Sequence, residues 1–179
     1  MELLELLKYT VPALVVLIAC YLIVNKFLVS QIQRKQLALF HESQDITVRL
    51  RLQAYERLAL FIERINARQL MPRLYESGMT VKDLQYTILF AVRTEFEHNL
   101  SQQIYVSKHV WETVKNVKEQ ELNMVNMIAK QLDPNADAKE LNMRIMDYVM
   151  TIDGEVPTDV ALQIINEEAK RVLAYGNQG

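Results

Sequence analysis

One cysteine, four glycines and four prolines stand in 179 residues, and each scarcity removes a class of answer. Cys20 has no second cysteine to pair with, so no disulfide framework and no zinc site of the multi-cysteine kind can form within the chain. That usage fits a reducing compartment. Few glycines and prolines leave few interruptions to regular structure, while Leu, Ala, Glu, Gln, Lys, Arg and Met favour helix over sheet. With 50% hydrophobic and 23% charged residues, the chain has the composition of a folded protein. We expect an all-α fold.

Catalytic signatures are missing too. There is no phosphate-cradling glycine loop, no helical HExxH and no nucleophile elbow. No internal repeat and no low-complexity tract break the sequence. The expectation is a protein without enzymatic activity and without a cofactor, for which no small-molecule substrate is identified.

Excess charge of one sign is absent from the whole, at a formal net charge of -2, and nucleic acid is not an expected partner. Charge is nevertheless unevenly spread. From Lys26 to Arg73 there are nine basic and four acidic residues, a balance of +5. From Leu74 to Gly179 there are ten basic and sixteen acidic, a balance of -6.

What the chain does contain is one long apolar run. Between Lys8 and Lys26 lies YTVPALVVLIACYLIVN, seventeen residues without a charge. That is the lower limit of a spanning helix, and Leu3 to Leu7 with Phe27 to Val29 can lengthen it. Pro12 falls one turn into the run, where a missing N–H matters least. Tyr9 and Lys26 occupy the positions of interfacial anchors, and Arg34 and Lys35 lie near enough to sense lipid charge. A cleaved signal peptide wants a basic leader, but Glu2 and Glu5 precede this run, so the segment is expected to stay attached. A buried core helix is usually shorter. The flank after the run carries Lys26, Arg34 and Lys35 with no acid until Glu42. This sets the N-terminus outside and the remainder in the cytoplasm, at the plasma (inner) membrane.

The expected organisation is a transmembrane anchor over 1–29, a juxtamembrane helical stalk over 30–47 and a cytoplasmic helical domain over 48–179. ITVRLRL, residues 46–52, alternates like a strand, but its neighbour RLQAYERLALFIERIN repeats Leu52, Tyr55, Leu58, Phe61 or Ile62, and Ile65 at helical spacing. A lone strand lacks a partner. We therefore expect a helix from about Val48 to Gln69, broken at Met71-Pro72, with Gly78 as a stop. Thr80 and Asp83 form a capping-box pattern opening a helix with Leu84, Ile88, Val92 and Phe96 on one stripe. Ser107 caps the next, which carries Trp111, Val114, Val117, Leu122, Val125, Ile128 and Leu132. DPNAD is a turn. Helix resumes through Leu141, Ile145, Tyr148 or Val149, and Ile152 as far as Gly154. Pro157 and Thr158 open the last helix, with Leu162, Ile165, Ala169 and Leu173 inward and Gly176 as its stop. The sum is one anchor and a bundle of about five helices. Trp111, Met124, Met127, Met143, Met146 and Met150 are read as core.

EFEHNLSQQ is the densest polar stretch. Arg93, Glu95, Glu97, His98, Asn99, Gln102 and Gln103 crowd between Val92 and Ile104, and we take them as the candidate interaction residues, with Arg57 or Glu56 as possible buried partners. Glu95 and His98, three apart on a helix, are half of the ligand pattern of a di-iron bundle. Neither His41 nor His109 supplies the other half, so a metal-dependent helical-bundle enzyme using Glu95 and His98 is the alternative reading only. The arginines Arg49, Arg51, Arg57, Arg64, Arg68 and Arg73 are read chiefly as partners of the acidic later helices or as a solvated face.

At RLQAYERLALFIERIN and RTEFEHNLSQQIYVSKHVWE the chain resembles an uncharacterised family of small bacterial membrane proteins with an N-terminal anchor and a helical cytoplasmic part. The resemblance implies a bacterial plasma membrane and no transferable activity. The expected role is a membrane-anchored interaction or scaffold module, an accessory subunit of a membrane complex, with the bilayer and either a protein partner or a second copy as its contacts.

Overall fold

The computed structural model describes residues 2–151 and 154–176, with side chains from residue 14 onward except 38, 40–43 and 175. Among these residues every element is helical: α1 (Glu2–Ile65), α2 (Ala67–Leu74), α3 (Val81–His98), a 3₁₀ helix (Leu100–Ile104), α4 (Lys108–Ala129), α5 (Ala138–Met150) and α6 (Pro157–Gly176). One isolated bridge, Thr80 to Asp137, is the only extended pairing described. ITVRLRL lies within α1. Its period-2 alternation yields to the helical stripe of its neighbours because that stripe has a core to bury against.

The chain divides by its contacts into Met1–Ile46 and Thr47–Gly179. The first unit holds Leu14–Leu37, 24 residues long and apolar enough to cross a membrane, none of them buried. Lys26, Arg34 and Lys35 are exposed on it, while the side chain of Tyr9 lies outside the described residues.

Among the described residues the second unit has one core. Tyr55, Leu58, Phe61, Ile62 and Ile65 of α1 meet Leu84, Ile88 and Val92 of α3, with the inner stripes of α4, α5 and α6 closing around them. Phe96 joins three helices: its ring lies 5.8 Å from Phe61 and 5.4 Å from Trp111, and the Lys118 ammonium sits 4.3 Å above it.

Local chemistry explains the boundaries. The Thr80–Asp83 capping box is formed in both directions, and the hydrogen bond from Thr80 holds the Asp83 carboxyl below its ordinary pKa. Gly78, at φ +94°, makes the left-handed turn before it. Val81 N–H donates to the Ala136 carbonyl and Ala138 N–H to the Met79 carbonyl, at 2.9 and 3.0 Å, fastening the start of α3 to that of α5. Ser107 and Asp137 cap α4 and α5.

Three expectations about local detail need correction, and one alternative is resolved. The first soluble helix breaks at Asn66 rather than at Met71-Pro72. The Asn66 side chain accepts from Arg68 N–H at 3.0 Å and donates to Thr158 at 3.0 Å, whereas Pro72 lies inside α2, which continues through it to Leu74. On α6 the inward residue is Val172, and Leu173 is 46% exposed; one residue is 100° of helix, enough to leave the stripe of Ala161 and Ile165. On α5 the alternative left open resolves to Val149, with Tyr148 exposed. Met127, Met143 and Met150 are exposed for the same angular reason, Met150 at 71%, while Trp111 is buried and Met124 and Met146 pack against the core. Ile152 lies outside the described residues.

Candidate functional site

The polar block at the end of α3 separates into two sets. Asn99 and Gln102 are buried: the Asn99 amide donates to the Glu95 carbonyl at 2.8 Å, and the Gln102 amide to Ser101 Oγ at 3.1 Å. Glu95 is half-buried and pairs with Arg64 of α1 at 3.2 Å, so its partner is neither Arg57 nor Glu56. These three residues bind the chain to itself. Arg93, Glu97, His98 and Gln103 are exposed. No group of three metal-ligating side chains occurs among the described residues, and Glu95 is committed to Arg64 while His98 faces solvent.

Arg93 and Glu97 continue a line begun by two aromatic residues. Tyr86, Phe90, Arg93 and Glu97 are spaced four, three and four apart, which puts them on one helix face. Tyr86 and Phe90 are 69% and 59% exposed, their rings stacked at 6.2 Å. Lys82 stands exposed one turn before Tyr86. The opposite side of α3 is core, so this line is the helix's outer face.

Two carboxyl groups that sequence reasoning missed complete the picture. Glu168 of α6 accepts from Tyr55 hydroxyl at 2.6 Å and from Ser107 hydroxyl at 2.5 Å and N–H at 3.2 Å. Arg51 donates to the Tyr55 hydroxyl at 3.3 Å and to the Tyr105 carbonyl at 3.2 Å. Burial pushes the Glu168 pKa up, but the Ser107 and Tyr55 hydrogen bonds and the Arg51 charge outweigh it and hold the carboxyl below its ordinary value. Burial and the hydrogen bond to Glu168 raise the Tyr55 phenol, against the opposing pull of Arg51. Every group there has a partner, and the network ties α1, α4 and α6 together.

Glu121 is the opposite case. It is 8% exposed, and burial raises its pKa to about 7. Neither a hydrogen bond nor an ion pair reaches it among the described residues. It lines a groove of about 400 Å³ with Met124, Met127, Tyr148, Val149 and Pro157. The signal was in the sequence: Glu121 is four residues after Val117 and four before Val125, an acid on an apolar stripe.

A family model described as a "Family of unknown function (DUF7935)" matches residues 1–172. No curated protein and no solved structure matches the chain.

Proposed function

The chain belongs to that family, and from this premise we propose that it is a single-pass membrane protein whose helical domain is a docking module, joined to a second copy through the outer face of α3. The observation that carries this reading is the exposed line Tyr86, Phe90, Arg93 and Glu97. Exposed aromatic residues beside an arginine are the composition of interface centres, and nothing within the domain needs them outside.

Self-complementarity selects the partner. In an antiparallel pair of α3 helices with a two-fold axis at Phe90, Lys82 falls opposite Glu97 and Tyr86 opposite Arg93, each twice, matched to within about 1.5 Å along the axis. The charges attract, and the guanidinium meets an aromatic ring. Confinement to one membrane raises the effective concentration, so a face of this size suffices. Charge reversal tests the pairing. Lys82→Glu and Glu97→Lys are each expected to weaken self-association about tenfold, through repulsion at two equivalent sites. Mixing the two variants should restore association, because every opposed pair is then of opposite sign. Co-purification of differently tagged copies reads the result, and self-association indifferent to both reversals would refute the register.

Leu14–Leu37 supports the membrane anchor, and the basic flank Lys26, Arg34 and Lys35 supports an outside N-terminus with a cytoplasmic domain at a bacterial plasma membrane. Fused after Gly179 and expressed in a bacterium, a reporter active only in the cytoplasm should work and a periplasmic one should fail. The reverse pattern would overturn the orientation.

A further inference from the structure

A carboxyl group buried without a partner is unfavourable, and folded chains seldom retain one where nothing uses it. Glu121 is 8% exposed and its carboxyl has no hydrogen bond or ion pair among the described residues, although its oxygens are not sealed from the groove, and the cations nearest along its own helix are already engaged: Lys115 with Glu112 at 2.9 Å and Lys118 with Glu119 at 2.8 Å. The groove it lines runs between α4, the end of α5 and the start of α6, and is otherwise apolar apart from the exposed amides Gln120 and Asn123. An apolar cleft of a few hundred Å³ with one fixed polar group is the form of a small-molecule site.

We propose that this groove binds a small hydrophobic monoamine, its ammonium group against the Glu121 carboxylate and its apolar body among Met124, Met127 and Val149. The charge selects the class. A cation compensates the buried carboxylate and gains a charge-assisted hydrogen bond, whereas a neutral ligand leaves it uncompensated and an anion is repelled. Tyr148 and the methionine sulfurs add polarizable surface suited to an ammonium ion. The site is on different residues from the α3 face, and neither depends on the other.

The test uses the full chain in phosphatidylcholine nanodiscs, titrated calorimetrically with phenethylamine and with 2-phenylethanol, which keeps the apolar body and replaces the ammonium by a hydroxyl. Empty nanodiscs give the partition of each probe into lipid. The expected result is saturable binding of phenethylamine at one site per chain, at least about tenfold tighter than 2-phenylethanol. Glu121→Gln is expected to reduce amine binding to the level of the alcohol while Trp111 fluorescence shows the domain still folded. Equal affinity for the two probes, unchanged amine binding in Glu121→Gln, or no saturable binding beyond empty nanodiscs would each overturn the proposal.

Discussion

At pH 8 the variant Glu121→Gln is expected to be about 3 kcal/mol more stable than the parent chain, and at pH 4 nearly equal to it. In the folded protein the carboxyl keeps its proton up to about pH 7, whereas in the unfolded chain it releases it near 4.5. Between those values the unfolded state binds fewer protons, so stability falls as pH rises, and above about pH 7 the full penalty is in place. Glutamine keeps the shape and never ionises. Urea unfolding followed by the fluorescence of Trp111, the single tryptophan, measures the difference at both pH values. Glu168, whose pKa is lowered, acts in the other direction on acidification, but it is common to both proteins and cancels. A stability gap independent of pH would show that Glu121 is not a buried carboxylic acid. A residue that lowers stability at neutral pH is where a functional demand is expected to override folding.

Phe61→Ala should destabilise the domain by about 4 kcal/mol, the usual scale for emptying a fully buried phenylalanine site. Phe61 is buried and its ring contacts Phe96, which in turn stacks on Trp111. The loss therefore propagates through the aromatic contact joining α1, α3 and α4, and Trp111 emission should shift even in the folded variant. A loss below about 1 kcal/mol would mean that the surroundings collapse into the space, and that this tier is not the keystone of the core.

How far the sequence carries depends on whether a feature is local. The Thr80–Asp83 box and the Ser107 cap were legible because capping chemistry involves residues three apart, and the α3 and α4 stripes because burial repeats at 3.6 residues. The division of the polar block was not legible. Glu95 meets Arg64 across 31 positions of chain, so only the packed domain shows that Glu95 is paired while Glu97 is exposed. The break at Asn66 was hidden behind the stronger signal of Pro72, since an asparagine declares itself as a cap only when its side chain has Arg68 N–H and Thr158 to bond. Tyr86 and Phe90 lie off the Leu84, Ile88 and Val92 stripe, and their exposure in the packed domain is what makes them a surface. Glu121 was visible as an acid among valines, but periodicity treats one exception as noise.

The most direct test of the account is oxidative crosslinking in native membranes. In a Cys20→Ser background, Phe90→Cys places identical thiols at the two-fold axis, where opposed helix faces bring them within disulfide reach. Glu140→Cys, exposed on α5, is the control. The account predicts that the chain stays with carbonate-washed membranes and that mild oxidation yields a covalent dimer from the cysteine at position 90 and not from that at 140. A chain released by the wash, or a position 90 that crosslinks no better than position 140, would contradict it.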